Sequence, residues 1–192
     1  MTEEAAKMDG ARAVGKLALV KQVWGTKRDQ LAITAVRVTV GLLFVNSAIG
    51  KLTSPTFISG FAATNRGFAA KTSFGWYADF LNGVVIPNAT FWANLTMYGE
   101  LLVGLALIFG LATNLGAVAA IFLNTNFWLA AGQTGSTFAV NILMAVAAAA
   151  FLVSPASKYL SVDRFLAERM FRKIANKHPR LVRAFLQRPL MG

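Results

Sequence analysis

Residues 92–113, WANLTMYGELLVGLALIFGLAT, decide the reading of this chain, because they are long enough to cross a bilayer and carry a single carboxylate, Glu100. A membrane span needs about 20 mostly apolar residues, and an acid inside one costs roughly 2.5–3.5 kcal/mol unless it faces protein, water or a partner charge. Glu100 is therefore a candidate functional residue by its position. Gly104 lies one turn further along the same face, and Ala106 with Gly110 forms a small-xxx-small pair on another. Such positions let neighbouring helices come close.

The composition around that stretch agrees with a membrane protein. Of 192 residues, 56% are apolar and only 14% charged, a profile that suits one integral membrane domain better than a soluble one. There is no cysteine, which excludes disulfides, iron–sulfur clusters, thiolate catalysis and Cys-ligated zinc within these residues. The single histidine, His178, lies beside Pro179 in a basic tail. A haem held by two histidines is thereby excluded, and no metal centre is expected. Redox chemistry would have to come from an organic cofactor or another subunit.

The formal charge of +11 is concentrated at the ends: six Lys/Arg precede Leu31, nine follow Ser154 and four lie between. Basic ends around apolar spans fit two cytoplasmic termini meeting anionic lipid headgroups. No RNA- or DNA-binding motif accompanies them, so nucleic acid is not an expected partner and membrane lipid is.

Working outward, residues 1–30 form a basic N-terminal segment in which Leu17, Val20 and Trp24 fall at helical spacing, as in a short interfacial helix. Residues 31–50 make the first span. Arg37 then either snorkels to the inner surface or is buried with a partner. Residues 52–90 are a long external connection whose aromatic stretch FGWYADFLNGVVIP predicts a short helix that caps the bundle as a lid or anchors at the interface. After residues 92–113, the third and fourth spans occupy 115–131 and 137–153. The fold class expected is all-α, an integral membrane four-helix antiparallel bundle over residues 31–154 with amphipathic N- and C-terminal helices. Residues 155–192 form the basic cytoplasmic tail, in which VDRFLAERMFRKI and RLVRAFLQ each alternate apolar and basic faces.

At a rise of 1.5 Å per residue, Glu100 falls about 12 Å below Trp92, and Asn46, Asn124, Asn126 and Asn141 fall roughly 7–12 Å in from the outer ends of their own helices. Every span thus places a polar residue in one layer, with Lys51 just above it. Lipid cannot satisfy these groups, so they should face inwards. Asn124 and Asn126, two positions apart, point to nearly opposite sides of their helix. Two readings stay open for the layer. It is interhelical glue, with Glu100 kept neutral by its surroundings or paired with Lys51. Alternatively it binds a polar headgroup such as a quinone ring, with Glu100 exchanging protons and Lys51 and the asparagines donating to the carbonyl oxygens.

Several motifs in order also resemble one family. Arg37-x-x-x-Gly41-x-x-Phe44 with Gly50-Lys51 leads, followed by Trp76-Tyr77, Pro87 and Gly99-Glu100-Leu101-Leu102-Val103-Gly104 with Gly110. Asn124-x-Asn126-Phe127, Ala131-Gly132, Lys158-Tyr159-Leu160 and Asp163 complete the series. Together they resemble the DoxX/DoxD-like membrane proteins over most of residues 31–165. The resemblance implies a multi-pass protein of a prokaryotic cell membrane, similar to the small subunit of thiosulfate:quinone oxidoreductase, which works beside at least one other subunit and passes electrons to quinone. Glu100 would then be the catalytic proton carrier, and Lys51, Asn46, Asn124, Asn126, Asn141 and Arg37 the cofactor-binding set. The alternative from another class is a non-catalytic accessory or anchor subunit of a larger respiratory or photosynthetic assembly.

Overall fold

The computed structural model describes residues 3–131 and 135–177, with side chains placed for 27–130, 135–167 and 169–170. All secondary structure among the described residues is helical. His178, the RLVRAFLQ segment and most of the GQTGS loop lie outside them.

Helix α1 runs unbroken over Glu3–Leu52, joining the expected interfacial segment to the first span. The intervening GTKRDQ has no proline to stop a helix. The part Lys27–Leu52 is long and apolar enough to cross a membrane, as are α4 (Ala89–Phe109) and α6 (Gly135–Val153). Helix α5 (Thr113–Ala131) matches α6 at 19 residues, but Thr113, Asn114, Asn124, Thr125 and Asn126 make it more polar. Helix α1 packs along α4 and α5 along α6, and contacts of α4 with α5 and of α1 with α6 close the ring.

The α1–α4 pair is tight because two glycines cross. A Cβ on Gly41 would lie 2.8 Å from the Gly104 carbonyl oxygen, and one on Gly104 would lie 2.8 Å from that of Gly41. Backbone fills the space that side chains occupy elsewhere. Beside this crossing Val40, Phe44, Val103, Leu107, Ala117, Ala120, Met144, Ala148 and Phe151 form a dry core.

The expected external connection is itself mostly helical. Helix α2 (Phe57–Lys71) and α3 (Gly75–Phe80) lead into a π turn, Leu81–Val85. Phe57, Phe61 and Phe68 recur at helical spacing, and α2 lays its apolar face on α4, α5 and the π turn. The Thr72 hydroxyl donates to the Leu129 carbonyl at 2.7 Å, and the Tyr77 hydroxyl donates to the carbonyl of Asn126 at 3.2 Å, fastening this cap to α5.

At the opposite end of the ring Gly110, at φ 65°, stops α4, and the Leu111 N–H returns to the Ala106 carbonyl at 3.0 Å. This left-handed closure favours glycine. Arg37, fully buried, donates to the carbonyls of Ser157 at 3.0 Å and Leu160 at 3.3 Å. Asp163 begins the tail helix α7 (Val162–Lys177) and accepts the Ala112 and Thr113 N–H groups, each at 2.7 Å. The carboxylate thus caps the start of α5 from outside that helix, where the free N–H groups and the helix dipole favour a negative charge. Burial pushes the Asp163 carboxyl up, but the hydrogen bonds from Thr113 and Ala112 and the nearby Lys158 ammonium outweigh it and hold it below its ordinary value.

Candidate functional site

Between the cap and the dry core lies a cavity of about 700 Å³, within the span of roughly 300–1,000 Å³ usual for small-molecule sites. Helix α2 roofs it with Phe57, Phe61, Asn65 and Phe68, while Tyr77, Phe80 and Leu81 wall it from α3 and the π turn. The floor and sides come from the helices of the ring: Ser47 and Lys51 of α1, Trp92 and Glu100 of α4, Asn126 and Phe127 of α5, and Asn141 of α6. Aromatic edges dominate. Phe80 meets Trp92 edge-on with centroids 5.8 Å apart, and behind the lining Phe74 meets Trp128 at 5.5 Å, separations that rigid aromatic packing favours.

The charge in this cage is one ion pair. Lys51 Nζ lies 2.5 Å from Glu100 Oε2 and donates to Ser47 Oγ at 2.7 Å. Its ammonium also stands 5.9 Å from the ring centroids of both Phe57 and Phe127. Glu100 is 1% exposed and Lys51 22%, so the lysine is the pair's contact with the surroundings. No hydrogen bond reaches Glu100 Oε1 among the described residues. The acid therefore has one oxygen committed to Lys51 and one available to a ligand.

Of the sequence-predicted layer, Glu100, Lys51, Asn126 and Asn141 come together on this cavity. Asn141 makes no hydrogen bond among the described residues, leaving its amide for whatever fills the space. Asn126 is partly committed, donating to the Phe122 carbonyl at 2.8 Å and accepting from the Tyr77 hydroxyl at 3.3 Å. Burial pushes the Tyr77 phenol up to about 12, which keeps it a donor throughout the working pH range.

Three of the expected residues lie elsewhere. Asn124 is buried but donates to the Ala120 carbonyl of its own helix at 2.8 Å and does not reach the cavity, as its half-turn offset from Asn126 requires. Asn46 is exposed on the outside of α1. Arg37 serves the far end of the ring, holding the tail. The residues missed by the sequence reading are Ser47, one turn before Lys51, and the roof of α2. The spacing Phe57-x3-Phe61-x3-Asn65-x2-Phe68 carried that signal within a segment read as a connection.

The sequence profile of the family described as TQO small subunit DoxD matches residues 32–186. That span covers α4, α5, α6, the part of α1 from residue 32 onward and all the cavity residues. The chain belongs to the DoxD family. Membership agrees with the motif series from Arg37 to Asp163, and with the three apolar helices it makes the chain a membrane protein. Neither curated proteins nor solved structures gave a match. Within the DoxD frame the family motifs fall into two groups in space. Lys51, Tyr77, Glu100, Asn126 and Phe127 stand at the cavity, whereas Arg37, Gly110 and Asp163 stand at the tail junction.

Proposed function

We propose that this DoxD chain is the membrane subunit of an oxidoreductase complex and that its cavity binds the ring of a membrane quinone, which receives electrons from a donor handled with a second subunit. Thiosulfate is the donor that the family description points to. The observation that carries the reading is the buried Glu100–Lys51 pair opening on an aromatic cavity of about 700 Å³. Flat aromatic walls suit a planar ring. Lys51 and the Asn141 amide suit its carbonyl oxygens as donors, and Glu100 can hold a proton against the same ring. A quinone takes up protons when it is reduced, so an acid linked through Lys51 to a more exposed position fits that exchange. In this reading the ring of four helices crosses the membrane four times, antiparallel, with Lys51 towards the outside and the Arg37–Asp163 junction towards the cytoplasm.

A second reading has its own support. The Lys51–Glu100 bridge ties α1 to α4, the same two helices that the Gly41–Gly104 crossing joins. A purely structural pair in an accessory subunit would do the same. Glu100→Gln separates the two. The quinone reading expects the turnover of each remaining folded molecule to fall steeply, on the order of 10²-fold or more for a lost proton carrier. Loss of the folded protein, with turnover per remaining molecule unchanged, would favour the structural reading.

A further inference from the structure

The outward faces of α4 and α5 are continuous apolar stripes. On α4 the exposed positions are Phe91, Leu95, Tyr98, Leu102, Leu105 and Phe109, and on α5 they include Leu115, Val118 and Phe122. Each series steps by three or four residues, one face of a helix. Two members do something the others do not. Leu95 and Phe122 also line the cavity, although they are 50% and 62% exposed. The aromatic lining residues of the roof and the π-turn wall are half-buried or buried. Leu95 and Phe122 therefore stand at the edges of α4 and α5, lining the cavity and facing outward at once.

The helices explain that placement. At the turn end they are locked together: Gly116 lies so close to Ala106 that an added Cβ would sit 3.1 Å from the Ala106 Cβ. Towards the cap, α4 presents Trp92, Leu95, Thr96 and Glu100, and α5 presents Phe122, Asn126 and Phe127, to the cavity. The remaining exposed lining side chains are threonines, Thr56 and Thr64 on the roof and Thr137 on α6. The exposed lining is thus hydroxylic at α2 and α6 and apolar on α4 and α5.

Building on the quinone reading, we propose that the cavity is loaded sideways from the bilayer through a gap between Leu95 and Phe122. The ligand is a lipid-soluble ring compound whose head lies against Lys51, Glu100 and Asn141. Its apolar chain leaves between α4 and α5. Leu95 and Phe122 are then the residues that distinguish chain-bearing from chainless ligands, because only the chain needs the gap held open.

The chain has no cysteine, so a single introduced thiol can be modified alone. Leu95→Cys, Phe122→Cys and, as a control on the same outward stripe away from the cavity, Leu102→Cys are each placed in lipid nanodiscs and treated with a bulky maleimide. Binding of a long-chain isoprenoid benzoquinone and of the same ring without its chain is read from quenching of tryptophan emission, Trp92 being in the cavity wall. Modification at 95 or 122 is expected to weaken the long-chain quinone about tenfold or more while leaving the bare ring little changed, and modification at 102 is expected to alter neither. Unchanged long-chain binding after modification at both positions would overturn the portal, as would equal loss of both ligands. Failure of both quinones to bind the unmodified protein would overturn the quinone reading and the portal with it, a result visible before any label is added.

Discussion

Lys51 Nζ and Glu100 Oε2 stand 2.5 Å apart, joining α1 to α4 through residues 49 positions apart in sequence, the acid almost fully buried and the lysine less so. Removing one partner strands the other. Lys51→Met should therefore lower stability by about 3 kcal/mol, the lower end of what breaking a buried pair costs, since the lysine keeps some exposure. The double variant Lys51→Met, Glu100→Gln should recover much of that loss. Thermal unfolding of the four proteins in one detergent forms the cycle, and additive losses would show that the two groups do not act as a pair.

The Gly41–Gly104 crossing predicts steep size dependence. An added methyl at Gly41 meets backbone atoms of α4, Gly104 O at 2.8 Å and Ile108 N at 2.9 Å, which cannot rotate away. Gly41→Ala and Gly104→Ala should each cost about 1–3 kcal/mol by overpacking. Gly99→Ala on the same helix, where nothing lies within 4 Å, should be neutral or slightly stabilising through helix propensity. Melting temperatures of the three variants test this directly.

Asp163 supplies a pH dependence with a definite sign. Its carboxyl is held below its ordinary value in the folded protein, so the ionised form favours folding. The contribution is complete above the unfolded-state value, about 3.9, and is lost as pH falls through the lower folded value. Asp163→Ala should destabilise the protein at pH 7 by about 0.5–2 kcal/mol, as loss of a helix cap does. The difference from the parent should shrink below about pH 4. Unfolding curves at pH 7 and at successively lower pH check both parts, and a gap that widens on acidification would reverse the assignment.

Arg37 predicts how the tail is held. Its guanidinium bonds two backbone carbonyls, those of Ser157 and Leu160, and charged hydrogen bonds of this kind contribute about 1.5–3 kcal/mol each. Arg37→Met should loosen residues 155–163 and speed tryptic cleavage after Lys158, measured by mass spectrometry of the detergent-solubilised protein. Cleavage after Lys71, in the cap at the other end, should keep its rate.

The sequence made the helical class and most element positions legible because membrane spans declare themselves by length and by the rarity of charge within them. Glu100 stood out for the same reason, and Lys51 because it closes an apolar run. The asparagine layer was only half readable. Depth along a helix follows from counting residues, but the facing direction does not, so Asn126 and Asn141 were grouped with Asn124 and Asn46 although only the first two reach the cavity. Arg37 was expected either at the surface or with a partner, and it found backbone carbonyls from a segment 120 positions away, a contact that periodicity cannot reveal. The roof was hidden for another reason. Helix α2 carries Ser59, Gly60, Thr64, Asn65 and Gly67, residue types that mark loops in water, and its phenylalanine spacing was the signal of a helix.

The most direct test of the account is to let a photoreactive quinone report its own position. An azido-quinone bearing a long isoprenoid chain, irradiated with the protein in lipid nanodiscs and mapped by mass spectrometry, should attach to cavity residues such as Phe57, Phe61, Trp92 or Phe127, and an excess of unlabelled quinone should suppress the attachment. Labels confined to lipid-facing positions such as Leu102, Leu143 and Val153, insensitive to competitor, would contradict a quinone site at Lys51 and Glu100.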